Sequence, residues 1–588
     1  MRLARLFAGT FASALLALLV ILVTGGFIVR VGPLALTSHN WRGPAAVALL
    51  SLIGAVSVGR TVCLAAFAAI WSFVDTYATA IATVLAVVAG GVGVAFGTYA
   101  ASSSDASGYV SEAALLGRGT LVSDEPLARE VMLPTGAWAF APLGYRPGLV
   151  SGELVPTYPA GLPLLLAPAR LVGGELATYV VVPMLGALAV LCTYALGARL
   201  HTRAAGVAAA ALLATSPIFL FQIVQPMSDV AATAWWTMAL VFALLPVPVA
   251  PIAAGAAAGI ALLTRPNLLV LTALVLIAAV GWPPNRRAFT RSLMALAAGM
   301  IPALGTLLLV QGRLYGSPLV SGYGPGADLF AVANIGPNMW GYAARLGQGE
   351  APALVLAAAA SCVLVATRQG ATTHAARRRH TFAFAAIGAA LVVGSYLPYS
   401  VFREWSYLRF LLPAFPLVFV AIGALVSDAV LRMPASGRGI AFLAALTLAC
   451  SVNVERAERE QAFNMRRYES RYRLAGLYLD QALPTNAVIV SVQESGSARY
   501  YTRRPILRWD LLGTDLDDAL AALRSAGRHP FFLVEDWETP ELGTRFPTSS
   551  TARLDWRPRA EFGDDTRVRL FDPNDRGVDP TWTVDRVH

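Results

Sequence analysis

Ser104-Asp105-Ala106-Ser107-Gly108-Tyr109 ends a long apolar run and opens a polar segment that lasts until about Glu175. A carboxylate at the end of a membrane helix is costly to hold near lipid, so it marks a functional site by default. On a helix, Asp105 and Tyr109 stand one turn apart on one face, and Glu112 continues that face. A carboxylate beside a phenol at the membrane edge can take a proton from an attacking hydroxyl or amine, or bind a metal. The structural alternative is a helix N-cap, with Ser or Asp capping a helix through Val110–Leu116. Asp124-Glu125 competes for the role of second acid in the same loop.

Asp229, in Gln225-Pro226-Met227-Ser228-Asp229, sits between two apolar runs at the same predicted membrane face. It reads as a second catalytic carboxylate facing the same cavity, since two carboxylates on separate helices can hold different protonation states. It too can be an N-cap. Arg265, in Leu263-Thr264-Arg265-Pro266-Asn267, falls between two short apolar segments. Its guanidinium fork matches a phosphate; snorkelling to the interface is the alternative. Arg403-Glu404-Trp405-Ser406-Tyr407-Leu408-Arg409-Phe410 places two cations, an anion and aromatics at an outer edge. That reads either as an aromatic belt or as a phosphate and sugar site carried by Arg403, Glu404, Tyr407 and Arg409. Tyr323, in a Gly/Ser/Tyr turn segment, is a candidate sugar contact. Glu494-Ser495-Gly496 and Tyr500–Pro505 read as structural. No HExxH, GxSxG, Walker A or strand–helix GxGxxG motif occurs.

The elements that must position these residues are membrane helices. Of 588 residues, 56% are hydrophobic and 14% charged, where soluble proteins carry about 25% charged residues. The apolar runs are continuous rather than alternating, which excludes a barrel. Spans are expected near 8–30, 44–59, 77–100, 174–198, 204–224, 229–246, 250–264, 267–283, 293–312, 351–367, 381–401, 410–427 and 438–454, about thirteen in all. The apolar stretch 61–76, interrupted by Asp75, reads as an interfacial helix or the start of a long third span. The net charge of +10 is mostly arginine, and its placement follows the positive-inside rule. Arg60, Arg199, Arg203, Arg286, Arg287, Arg291, Arg368, Arg377–Arg379, Arg432 and Arg438 fall on one side. The segments 101–173 and 313–350 and the tail fall outside. The basic residues form no single stripe, which argues against nucleic acid. Cys63, Cys192, Cys362 and Cys450 lie in apolar runs and read as buried hydrophobes.

The chain therefore divides into N-terminal spans (1–100), a first external loop (101–173), a transmembrane core (174–454) and a tail (455–588). In the tail, a helix is expected over Arg471–Ala482, a strand over Ala487–Val492 and an amphipathic helix over Leu516–Ala526. Further strands are expected over His529–Glu535 and Arg567–Phe571. This is the pattern of a small α/β domain.

Taken in order, these segments resemble the GT-C superfamily of polytopic glycosyltransferases, of the protein O-mannosyltransferase and aminoarabinose-transferase type. Asp105 with Tyr109, then Ala113–Gly119, resembles the family's first-loop acidic motif. Thr157-Tyr158-Pro159-Ala160-Gly161-Leu162-Pro163 resembles the segment entering the next span, which adds Tyr158 to the candidate substrate contacts. Ser216-Pro217 with Ser228-Asp229 resembles the second acidic position. Gly255, Gly259 and Leu262–Pro266 resemble a glycine-spaced helix ending in Thr-Arg-Pro, and Arg403 to Pro416 resembles an Arg-Tyr-Leu-Leu-Pro signature. Where many relatives pair the first acid, Ala106 follows Asp105 here, and two extra spans precede the motif.

The resemblance implies a hexosyl- or pentosyltransferase with a polyprenyl-phosphate-linked sugar as donor and a glycan, lipid or protein as acceptor, working at the extracytoplasmic face. It implies a multi-pass enzyme, expected in a bacterial inner (plasma) membrane with a cytoplasmic N-terminus. It dictates no cofactor; a divalent cation is the candidate, with no metal ligands assigned. The competing reading is a transporter or flippase of a lipid-linked sugar, which needs neither an acidic first loop nor a folded tail. An O-antigen-type ligase fits less well, because His201, His374 and His380 fall on the cytoplasmic side.

Overall fold

Apolar runs close their own backbone hydrogen bonds as helices in lipid, and the chain is built of them. The computed structural model describes residues 2–24, 27–31, 34–38, 42–57, 60–281, 286–324, 329–350, 373–579 and 581–587. Five described helices are long and apolar enough to cross a membrane: Ala78–Ala95, Pro163–Leu200, Arg286–Tyr315, Trp405–Leu431 and Ala435–Arg459. The pair Arg203–Thr215 and Pro217–Ile223, bent by 61°, makes a sixth if counted as one span. The chain is an integral multi-pass membrane protein.

The runs expected at 229–246, 250–264 and 267–283 are helices of 16, 15 and 10 residues, Ser228–Ala243, Ala250–Thr264 and Leu271–Val280. At 1.5 Å per residue they measure about 15–24 Å, short of a hydrocarbon core of about 30 Å. Ser228–Ala243 is buried along most of its length, so neighbouring helices rather than lipid surround it. A hydropathy count registers such a helix as a span although it is too short to cross the hydrocarbon core. The run at 61–76 is a separate helix, Arg60–Thr76. The ladder continues through Tyr77 into Ala78–Ala95, with Tyr77 N–H donating to the Phe73 carbonyl and Ile81 N–H to that of Tyr77, each at 2.9 Å. The expected span 351–367, with Cys362 and Arg368, lies outside the described residues. Small residues let backbones meet in the bundle: Gly197 lies against Gly206, and Gly423 against the Ala205 carbonyl.

The segment 101–173 carries the helix Ser104–Leu116 and a three-stranded antiparallel sheet of Ser123–Asp124, Glu153–Pro156 and Tyr145–Pro147. The tail forms a six-stranded sheet in the order Asp585–Val587, Ala560–Phe562, Val568–Phe571, His529–Glu535, Ala487–Val490, Ile506–Leu507. The last three strands are mutually parallel, and Val568–Phe571 is antiparallel to both of its neighbours. All the expected tail elements are present, four with one end shifted by one to six residues: the first helix is Met465–Ala482, the first strand Ala487–Val490, the amphipathic helix Leu516–Ser525 and the last expected strand Val568–Phe571. The helices Ser495–Thr502 and Glu538–Arg545 were not expected; each is only 8 residues long, too short for a clear apolar period.

Candidate functional site

Two arginine–carboxylate pairs meet where the first loop, two buried helix ends and the Trp405–Ala414 turn come together. Asp105 lies in the first turn of Ser104–Leu116, whose N-cap is Ser103, with no side-chain capping bond. It does not cap. It receives a hydrogen bond from Arg409 Nη2 at 2.7 Å. Asp229 lies in the first turn of Ser228–Ala243, capped by Met227 without a side-chain bond. It receives one from Arg265 Nη2 at 2.7 Å. The N-cap reading fails for both acids.

Arg265 does not snorkel. It ends the helix Ala250–Thr264 and turns inward, donating from Nε to Ser228 Oγ at 3.2 Å and from Nη1 to the Tyr396 hydroxyl at 2.9 Å. Its guanidinium lies 5.5 Å from the centre of the Phe410 ring, which stacks on Tyr396. Tyr109 donates its hydroxyl to the same Ser228 Oγ at 2.8 Å, so one serine joins the first loop to Arg265. Tyr158 shares a hydrogen bond of 2.6 Å with Ser104 Oγ, packs on Tyr109 and touches the Tyr323 ring. Arg409 lies over the Tyr407 and Phe410 rings and reaches Met227 Sδ at 3.4 Å. Its Nε is buried and makes no hydrogen bond among the described residues.

The two pairs differ in access. The Asp105 side chain is 29% exposed and Arg409 12%; Asp229 is 0% exposed and Arg265 13%. Asp105 therefore faces outward from the cluster, while Asp229 is enclosed as the counter-ion of Arg265. Burial alone raises the Asp105 pKa, but the charge of Arg409, hydrogen bonds from Tyr158 and Arg409, and the charge of Arg265 together hold it below the ordinary carboxylate value. Asp105 is thus ionised at neutral pH.

Of the sequence candidates, Asp105, Tyr109, Tyr158, Asp229, Arg265, Tyr323, Tyr407 and Arg409 converge. Arg403 and Glu404 do not: both are exposed, and their side chains form no hydrogen bond or ion pair among the described residues. Glu112 is buried, with neither oxygen hydrogen-bonded among the described residues. Burial pushes its carboxyl well above the usual range, and it stands apart from the ion pairs. Asp124 pairs with Arg129 and Glu125 with Arg499, away from the cluster. Ser228, Tyr396 and Phe410 belong to the site although sequence reading did not assign them; the run Tyr396-Leu397-Pro398-Tyr399 at a span end was the available signal. Among the described residues no three His, Cys, Asp or Glu side chains converge to hold a metal. Both acids of the cluster already face guanidinium groups.

No protein-family model and no curated protein sequence matches the chain. The structure aligns with the apo oligosaccharyltransferase of Archaeoglobus fulgidus at a TM-score of 0.50 and 12% identity, over 78% of this chain and 70% of that one. The chain has the GT-C fold. ArnT from Cupriavidus metallidurans, bound to undecaprenyl phosphate, aligns at a TM-score of 0.48 and 12% identity over 83% of this chain and 97% of that one. The Archaeoglobus fulgidus enzyme in complex with an inhibitory peptide and a dolichol-phosphate aligns at 0.47 and 13% identity, over 77% and 69%. Within the GT-C fold of this chain, the paired arginines and acids occupy the junction of the membrane helices with the first loop and the Trp405–Ala414 turn.

Proposed function

We propose that the protein transfers a sugar from a polyprenyl-phosphate donor to an acceptor hydroxyl or amine at the extracytoplasmic membrane face. The observation that carries this reading is the pairing of an outward Asp105 with Arg409 beside an enclosed Asp229–Arg265 pair. In a single displacement, the acceptor atom bonds to the anomeric carbon as the bond to the phosphate oxygen breaks. Asp105 takes the acceptor proton. The charge left on the phosphate is met by fixed guanidinium groups. Arg265 is held by three partners and needs no reorganisation. A phosphate that engages the Arg409 guanidinium loosens its hold on Asp105, which makes Asp105 a stronger base once the donor is bound. Asp229 orients Arg265.

The pH dependence tests the Asp105–Arg409 link. A carboxylate with a lowered pKa stays charged until the pH falls through that lowered value. The acid limb of kcat/KM, which reports the free enzyme, should therefore lie below the ordinary carboxylate range. In Arg409→Gln the raising effect of burial is no longer opposed by that charge, so the limb should move to higher pH. A limb that stays in place shows that Asp105 is not the group titrating.

Sidedness is tested separately. The first loop and the tail are proposed to lie outside the cytoplasm. Met132 and Glu541 are exposed on these two parts. Met132→Cys and Glu541→Cys should both react with a membrane-impermeant maleimide in intact cells. Reaction only after lysis would reverse the topology and remove the proposed acceptor side.

A further inference from the structure

The tail sheet has a topological switch point. Ala487–Val490 lies between Ile506–Leu507, which follows it in sequence, and His529–Glu535, which comes next. The three strands are parallel, so the chain leaves Ala487–Val490 to one side and returns on the other. In open α/β sheets the crevice beyond the carboxyl ends at such a point is where ligands bind. Here the residues beyond those ends, Ser495 and Gly496, face the segment 101–173. Leu143 N–H donates to Ser495 Oγ at 3.0 Å. A Cβ on Gly496 would overlap Ser107 Oγ and stand 2.7 Å from the Leu143 carbonyl oxygen. The crevice holds the Asp105 loop.

That loop is under strain. Tyr99 and Ser103 have φ of 49° and 53°, strained values for residues with a Cβ that persist only where surroundings over-determine them. Ser107 bonds back across the turn, from its N–H to the Ser102 carbonyl at 2.9 Å and from Oγ to the Ser103 carbonyl. The tail adds the Tyr501 hydroxyl, which accepts from Ala101 N–H at 3.0 Å. Its own side of the crevice is fixed: the buried Glu538 carboxylate accepts the N–H groups of Gln493 at 3.0 Å and Glu535 at 2.8 Å, tying the two strand ends together.

We infer that the tail domain positions Asp105: its switch-point crevice, at Ser495 and Gly496, clamps the Ser103–Ser107 turn from which Asp105 reaches Arg409. Gly496 and Ser495 are positioning residues that act through Ser107 and Leu143. This rests on Asp105 being the base.

The test uses the full-length protein in membranes with Gly496→Ala, Ser495→Ala and, as a control on tail stability, Leu520→Ala, a buried position in the sheet-packing helix Leu516–Ser525. A misplacement of about 1 Å can cost about 10²-fold in rate, so Gly496→Ala should lower kcat by about 10–100-fold. Ser495→Ala, which leaves the volume nearly unchanged, should lower it less, and donor KM should stay within about twofold in both. Amide exchange over residues 100–110 should quicken in both variants and remain at the wild-type rate in Leu520→Ala. Unchanged exchange in Gly496→Ala overturns the clamp. Faster exchange with normal kcat, in a protein that Asp105→Asn inactivates, overturns the positioning role alone. If Asp105→Asn is itself active, the function reading falls and the positioning role falls with it, leaving exchange to report only a structural contact.

Discussion

Asp105→Asn is expected to lower turnover by about 10²–10⁴-fold, the usual contribution of a general base, while the protein inserts and folds as before. The substitution preserves size, and the amide oxygen can still accept from Arg409 Nη2, which now sits 2.7 Å from Asp105. What is lost is the negative charge and the site for the acceptor proton. Because Asp105 is the outward member of the two acids, an effect confined to kcat with little change in donor KM is expected. The measurement is release of sugar from a polyprenyl-phosphate donor with and without acceptor, in membranes with matched protein levels. Near-normal transfer would remove Asp105 from the chemistry and leave it as the counter-ion of Arg409.

Arg265 offers the second large effect, and the structure changes what its substitution means. Arg265→Lys keeps a charge but cannot serve Asp229, Ser228 and Tyr396 together. One hydrogen bond to a charged group contributes about 1.5–3 kcal/mol, so donor KM should rise about tenfold or more. Arg265→Ala goes further. It leaves Asp229 buried without its cation, and breaking a buried pair from one side costs about 3–5 kcal/mol. Thermal stability and activity should both fall. Adding Asp229→Asn to Arg265→Ala removes the stranded charge and should restore most of the stability but none of the transfer. Recovery of transfer in the double variant would show that Arg265 only neutralises Asp229. Wild-type donor dependence in Arg265→Lys would assign the phosphate to Arg409 alone.

Much of the site was legible because its residue types are out of place in lipid. Asp105, Asp229 and Arg265 each stand where an apolar run breaks, and an ionisable group there is costly enough to be noticed without any structure. Arg409 was visible only as one of two cations in an aromatic-rich segment. Arg403 and Glu404 looked equivalent to it, yet both point to solvent. In a turn with five residues between the two arginines, sequence does not tell which side chain faces inward. Glu112 shared a helical face with Asp105 by spacing, but two turns further on that face meets different neighbours.

The sequence alone determined the environment and the inventory. Continuous apolar runs require membrane helices, the composition shift after about Glu455 marks a tail of different, more charged character, and charge at the run ends marks the candidate residues. These are local properties, set by a few consecutive side chains and by the cost of desolvating them. Only the tertiary structure decided the pairing. Asp105 meets Arg409 across 304 positions and Asp229 meets Arg265 across 36. Which acid faces outward, and which is sealed in, depends on how the ends of separate helices converge. Hydropathy is blind to that convergence, because a short buried helix and a lipid-facing span are equally apolar, and an ion pair between them leaves no periodic trace in either.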